Sequence, residues 1–141
     1  MSTTTEIHNG MDIIDSRGVI ARISYLEDEV ESLYESAKAD DTELTRESFL
    51  DDCEEFKELD SLRALAKEAS GSPYWTRTYG GTLIRDSYFE TYARELAEDI
   101  GAVKADASWP NNFIDWEAAA DALKQDYRMV DFGGEEYWIR A

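Results

Sequence analysis

The sequence of 141 residues is poor in the side chains that build catalytic and metal sites. It holds a single cysteine, Cys53, and a single histidine, His8, so neither a nucleophile–base pair nor a cluster of zinc ligands is indicated. No P-loop and no EF-hand loop is present, and nothing among the 32 acidic residues selects a glycosidase-like carboxylate pair. We therefore expect a protein that is not an enzyme and that uses no cofactor and no metal.

Long apolar runs and a basic leader are missing as well. No stretch is long and apolar enough to span a membrane, and the N-terminal MSTTTEIHNG lacks the regions of a signal peptide. A lone cysteine cannot form an internal disulfide, which suits a reducing compartment. These absences predict a cytoplasmic protein that does not act at a membrane.

Basic residues are scarce, because 14 lysines and arginines face 32 acids and leave a net charge of −18. Residues 1–40, 41–72 and 73–141 carry −6 each (9 acids and 3 bases, 10 and 4, 13 and 7), so the whole chain is negative. Such a surface repels nucleic acid and attracts a strongly basic protein face. At one charge per about 1.7 Å, 18 charges correspond to roughly 31 Å of duplex DNA. A chain of this length has an expected diameter of roughly 37 Å, so its charge density is close to that of DNA.

Apolar residues are nevertheless plentiful, at 43% of the chain with 12% aromatic, which is enough for a packed core. Their spacing of four and three predicts helices over residues 16–38 and 46–69, joined by a polar loop into an antiparallel helical hairpin. We expect the aromatic side chains to pack in the core or in a dimer interface. The predicted division is a flexible leader (1–15), a helical hairpin (16–70) and a second domain (74–141).

The second half begins with a predicted strand at Thr82–Arg85. The spacing of Ser87 and Glu90 is that of a capping box, which predicts the start of a helix. Apolar residues up to Ile100 are expected to line the inner face of this helix, and Gly101 is expected to end it.

The next helix is predicted to start at Asp115, whose side chain suits an N-cap, with Trp116 anchored in the core. Strands at Arg128–Phe132 and Glu135–Arg140 flank Gly133-Gly134, the pattern of a β-hairpin. The expected fold class is α+β: an acidic N-terminal helical hairpin followed by a β-α-α-β-β unit with a small antiparallel sheet.

Acidic residues repeatedly stand one turn apart in the predicted helices. Seven acid–acid pairs have i,i+4 spacing, Asp51–Glu55 among them, against two pairs of opposite charge. Each like pair costs a helix about 0.2–0.5 kcal/mol, or roughly 1.4–3.5 kcal/mol together, which indicates selection for function rather than for folding. Glu98 and Asp99 lie in the last turn of their predicted helix, where the dipole prefers cations. We predict that twelve acids bind a partner in place of phosphates: Glu27, Glu31, Glu35, Asp51, Glu54, Glu55, Glu58, Glu95, Glu98, Asp99, Glu117 and Asp121.

Three explanations of the acidity compete. Adaptation to high salt would give many acids and few lysines, of which there are five, but it does not account for the aromatic content. An ordinary acidic cytosolic domain would carry solvated charged faces. A surface selected to occupy a basic, DNA-binding cleft accounts for charge of one sign over the whole chain.

The C-terminal half resembles ArdA-type antirestriction proteins, over roughly Leu83 to Ile139. It shares with them a helix that ends in two acids, one further residue and Gly-Ala, an Asn-(Tyr/Phe)-Ile-Asp-(Tyr/Trp) entry into an acidic helix, and a short closing hairpin. The matching positions are Glu98, Asp99, Gly101, Ala102, Asn112, Phe113, Ile114, Asp115 and Trp116.

This resemblance implies a non-enzymatic protein of phages and mobile elements that imitates DNA inside a bacterial cell. It implies that the protein blocks the DNA-binding cleft of a type I restriction–modification enzyme, often as a dimer. The helical hairpin of residues 16–69 departs from the family's N-terminal organisation, so a CRISPR effector is an alternative target. An acidic interaction module or chaperone for a basic host protein, without DNA mimicry, is the alternative function.

Overall fold

The computed structural model describes residues 5–76, 80–104 and 109–141. Long N-terminal helices are followed by a small four-stranded antiparallel sheet with two further helices, which confirms the expected α+β class. The elements in chain order are β1 (Ile13–Asp15), α1 (Ser16–Asp40), α2 (Arg46–Asp51), α3 (Glu54–Ala69), β2 (Thr82–Arg85), α4 (Phe89–Asp99), α5 (Trp116–Lys124), β3 (Tyr127–Phe132) and β4 (Glu135–Arg140).

The sheet has the strand order β1-β2-β4-β3, with every neighbouring pair antiparallel. The predicted hairpin is confirmed: β3 and β4 pair with Val130 opposite Tyr137, and β3 starts one residue earlier than expected. Gly133 and Gly134 connect the strands with φ of 58° and 89°. Positive φ at both turn residues is what a two-residue hairpin loop of the I′ type requires, and glycine adopts it without strain.

Strand β1 lies inside the segment that was expected to be a flexible leader. Ile14 pairs with Leu83 of β2, and the side chains of Ile7 and Ile14 are buried. The expectation of a leader up to residue 15 is therefore wrong for this stretch. A strand of three residues is too short to show an alternating pattern, and only the partner strand reveals it.

The second predicted helix is interrupted. It consists of α2 and α3, separated by Asp52 and by Cys53, whose backbone is extended (φ −90°, ψ 111°) and whose side chain is buried. The i,i+4 pair formed by Asp51 and Glu55 therefore spans a break and is not a pair on one helix face. The buried thiol agrees with a packing role for Cys53.

The sheet is covered by helices on both faces, because side chains of a strand alternate between faces. Leu83 and Tyr137 contribute to a hydrophobic cluster with α1 and α3, whereas the neighbouring Ile84 belongs to a cluster with α4 and α5. The helical hairpin and the sheet thus share one core. Members of the larger cluster are Ile7, Ile14, Val19, Leu26, Val30, Cys53, Leu59, Leu62, Leu65, Ala69, Trp75, Leu83, Val130, Phe132, Tyr137 and Ile139.

Helices α4 and α5 differ from expectation at three positions. Ser87 lies in a 3-10 turn at Asp86–Tyr88, and no side-chain cap bond is formed at the start of α4, so the capping-box prediction is wrong. Ile100 is exposed rather than inward, because α4 ends at Asp99 and the chain turns away. Trp116 is only partly buried and lies under the Arg94 guanidinium, 5.9 Å from the ring centroid.

Two predicted helix boundaries are confirmed. The backbone N–H of Ala118 donates to Asp115 Oδ1 over 3.1 Å, which makes Asp115 the N-cap of α5. Gly101 has a φ of 78°, and backbone N–H groups of Gly101 and Ala102 donate to Glu98 and Ala97 carbonyls. This is the geometry in which glycine commonly ends a helix.

Candidate functional site

The twelve acids predicted to bind a partner fall into two groups on the folded protein. Seven lie on the hairpin helices α1 to α3, and five lie on α4 and α5, which pack against each other. The structure places the groups on opposite faces of the sheet, because the two helical layers cover different faces. Each group therefore has to be considered with its own surroundings.

Glu58 of α3 forms the least exposed ion pair of the hairpin. Its carboxylate accepts hydrogen bonds from Nε and Nη2 of Arg22 over 2.7 and 2.8 Å, with side-chain exposures of only 17% and 12% for Glu58 and Arg22. A two-pronged guanidinium–carboxylate pair is both strong and directional. It joins α1 to α3 and leaves Glu58 poorly placed to reach a partner.

Other hairpin acids are also paired between helices. Arg63 of α3 donates to Glu27 over 2.9 Å, and Arg46 of α2 binds the Glu31 carboxylate. The hydrogen bonds from Arg46 lower the pKa of Glu31. These arginines offset the expected cost of like-charge pairs at Glu27, Glu31 and Glu58, and they come from other helices and not from positions three or four residues away.

The remaining hairpin acids are more accessible. Glu54 is exposed and pairs with Lys57 over 3.1 Å within α3. Glu35, Asp51 and Glu55 are exposed, and the part of the chain that the structure describes gives them no ion pair.

Sequence reasoning missed most of the densest acidic segment. We call residues 40–55 the hairpin tip; it carries eight acids and one base, and all eight acids are exposed. The prediction included Asp51, Glu54 and Glu55 only. It left out Glu47, although Glu47 and Asp51 have i,i+4 spacing, and the other four acids belong to no such pair within a predicted helix. A simple count of charge along the chain would have found the others, which are Asp40, Asp41, Glu43, Glu47 and Asp52.

The acids of α4 and α5 have fewer basic partners. Glu98 pairs with Arg94 at 3.7 Å, and the Glu95 carboxylate accepts a hydrogen bond from the Tyr88 hydroxyl over 3.0 Å. Asp99, Glu117 and Asp121 are exposed and have no ion pair within residues 5–76, 80–104 and 109–141. These three are the predicted site residues with the least local compensation in the C-terminal half.

The described parts of the connection between α4 and α5 carry three exposed apolar side chains that sequence reasoning did not single out. Ile100, Trp109 and Phe113 are 70%, 74% and 76% exposed, more than any other large apolar side chain described. The Asn111 side chain donates to the Lys104 carbonyl over 2.6 Å, which brings Lys104 close to the segment that contains Trp109 and Phe113. The expectation that aromatic residues pack in a core or dimer interface could not separate these side chains from buried ones.

The described segments contain neither a cluster of potential metal ligands nor a helix of the membrane-spanning kind. No group of three or more His, Cys, Asp or Glu side chains is arranged there to hold a metal ion. None of the helices described is both long enough and apolar enough to cross a membrane. Comparison with protein-family models, curated proteins and solved structures gives no match to this chain. The resemblance to ArdA-type proteins therefore stays a hypothesis.

Proposed function

We propose that the protein is a DNA mimic that occupies the DNA-binding cleft of a host defence nuclease. The observation that carries this proposal is the surplus of carboxylates. Even if each of the 14 bases neutralised one acid, 18 of the 32 acids would remain without a cation. A field of this strength favours a partner with a strongly basic cleft.

The fold provides a rigid support for that charge. Helix α1 has 25 residues and is therefore about 37 Å long, close to the roughly 34–36 Å of one duplex turn. Inter-helix ion pairs of Arg22, Arg46 and Arg63 hold α1, α2 and α3 together. Holding carboxylates on a rigid body lowers the entropy that is lost when they bind.

Eleven of the twelve predicted acids then separate into two roles, and Glu98, which pairs with Arg94 within α4, is assigned to neither. Glu27, Glu31 and Glu58 mainly hold the hairpin together, because arginines already neutralise them. The accessible acids contact the basic cleft: the hairpin tip with Glu35 on one side, and Glu95, Asp99, Glu117 and Asp121 on the other. The protein acts stoichiometrically, so it needs no nucleophile, general base or metal.

The most direct target is a type I restriction–modification enzyme, as the resemblance to ArdA-type proteins suggests, with a CRISPR effector as the alternative. The test titrates the protein into a purified type I enzyme bound to a fluorescent duplex that carries its recognition site. We expect one-for-one displacement of DNA and an affinity for the enzyme that falls about 10³-fold or more between 50 and 200 mM salt. The same titration with a Cas9–guide RNA complex distinguishes the two targets.

Two outcomes would count against mimicry. The first is a ternary complex in which the DNA stays bound, and the second is binding that does not depend on salt. Binding to histone-like proteins without competition by DNA would instead favour the acidic chaperone.

A further inference from the structure

The described parts of the connection between α4 and α5 carry exposed apolar side chains, and acidic residues precede and follow them in the sequence. We define the apolar end of the protein as Ile100, Trp109 and Phe113, each at least 70% exposed. The other exposed large apolar side chains, Ile13, Ile20 and Met129, are 40–49% exposed. An aromatic side chain can bury about 150–250 Å², so the two rings alone offer roughly 300 Å² of apolar surface.

Most charged residues next to the apolar end along the chain are acidic, although Glu98 is paired with Arg94. Glu98 and Asp99 close α4, and Asp115 and Glu117 open α5, whereas Lys104 is the only base described between residues 98 and 117. Apolar patches with polar rims mark protein–protein contacts, and large aromatic side chains contribute most to the affinity of such contacts. The charged residues next to the apolar end therefore determine which partner surfaces can bind there.

A second copy of this chain is a poor occupant, because it would bring the same carboxylates against the rim. Duplex DNA is excluded by charge as well. From this geometry we infer that the apolar end docks onto an apolar surface bordered by basic residues on the partner protein. The inference rests on the proposed function, because both assume a partner with a basic surface. It adds that apolar contacts contribute to recognition beside the electrostatic ones.

Two kinds of residue therefore have separate effects on binding. Carboxylates act at long range and mainly raise the association rate. The apolar end acts only in contact and mainly lowers the dissociation rate. An inhibitor that uses both would stay bound in competition with DNA at salt concentrations that weaken charge pairs.

The test uses two synthetic helical peptides and needs no nuclease. One consists of lysine and leucine, and the other has alanine in place of every leucine, so the two have equal charge. We expect the wild-type protein to bind the lysine–leucine peptide about tenfold or more tightly than the lysine–alanine peptide, as a contact with buried anchors requires. The triple variant Ile100→Ser, Trp109→Ser, Phe113→Ser should bind both peptides equally and keep the wild-type Tm, since its side chains are already exposed. The control Met129→Ser should keep the preference.

Three results would overturn the inference. Equal binding of both peptides by the wild-type protein is the first, and a preference that survives in the triple variant is the second. The third is a dimer in sedimentation equilibrium that the triple variant dissolves, because a second copy would then occupy the apolar end. Failure of the proposed function is distinguishable: DNA would stay bound to the nuclease while the peptide preference and its loss in the triple variant persist.

Discussion

The helical hairpin and the α4–α5 layer are both acidic, but they compensate their charge differently. In the hairpin, Arg22, Arg46 and Arg63 bind glutamates of other helices, and these pairs hold the helices together. On α5, Lys124 follows Asp121 by three residues, but its Nζ donates to Asp86 over 2.9 Å. Asp121 therefore has no ion pair in the described segments.

This difference separates charge that stabilises the fold from charge that is available to a partner. Removing an acid that binds an arginine leaves the guanidinium without its counter-charge, which destabilises the fold. Removing an acid that has only acidic neighbours relieves repulsion. The hairpin arginines also make the electrostatic potential next to α1 less negative. The hairpin tip and the α4–α5 layer therefore carry most of the uncompensated charge. Substitutions of equal charge in the two regions should therefore have different consequences.

The largest contrast is expected between two triple variants that each change the net charge from −18 to −12. The first variant combines Glu95→Lys, Asp99→Lys and Asp121→Lys. It should weaken inhibition of the nuclease about 100-fold or more, because electrostatic steering is lost. Its Tm should hold or rise, because no ion pair is broken. Glu27→Lys, Glu31→Lys and Glu58→Lys together should lower Tm by several degrees, because three inter-helix pairs become repulsive. DNA-cleavage assays and calorimetry measure both effects. Lost stability with retained inhibition in the first variant would show that its charges are structural.

The Arg22–Glu58 pair should be the ion pair of the hairpin that contributes most to stability. Glu58→Gln should lower the free energy of unfolding by about 2 kcal/mol, because it leaves a poorly exposed guanidinium with weaker hydrogen bonds. Asp60→Asn, at an exposed position of α3, is the matched control and should change it by less than about 0.5 kcal/mol. Urea unfolding measures the two values, and equal values would mean that Arg22 finds other acceptors.

Two aspartates of the α5 segment should differ in the same measurement. Asp115→Ala removes the N-cap bond to Ala118 and should cost about 1 kcal/mol. Asp121→Ala removes repulsion with Glu117 and should leave the protein equally or slightly more stable. If both variants lost stability, the surface of α5 would be structural rather than free for a partner.

The smallest expected effect concerns Asp86, which accepts hydrogen bonds from Lys124 Nζ and Trp138 Nε1, both over 2.9 Å. These bonds lower the pKa of Asp86 below its ordinary value of 3.8. The stabilisation is therefore present above pH 3.8 and is lost as pH falls through the folded-state pKa. Asp86→Asn should lower the free energy of unfolding by less than about 1 kcal/mol at pH 7, since the carboxylate is half exposed. In acid, the variant and the wild-type protein should have equal stability.

Urea unfolding over a range of pH measures this difference. Lys124→Met should remove part of the pH dependence of stability that Asp86 causes, because it removes one of the two hydrogen-bond donors to the Asp86 carboxylate. A difference between Asp86→Asn and wild type that persisted in acid would assign the effect to packing rather than to charge.

Long amphipathic segments and special turn residues were predictable from the sequence. The extent of α1, the cap at Asp115, the stop at Gly101 and the Gly133-Gly134 turn all depend on interactions within a few residues. Strand β1 was not predictable, because its three residues gain their hydrogen bonds from β2, about 70 residues away. The break at Cys53 was missed because the apolar spacing continues through it, although Cys53 is extended and its side chain is buried in the core.

The sequence alone determined the net charge, the density of acids at the hairpin tip and the approximate helices, because these follow from composition and local spacing. The tertiary structure decided which acids are neutralised and which apolar side chains stay exposed. Arg22 and Glu58 are 36 residues apart, and Arg46 and Glu31 are 15 apart, beyond the reach of any rule for one helix turn. The exposure of Ile100, Trp109 and Phe113 likewise depends on where the chain leaves α4, which helical periodicity cannot specify.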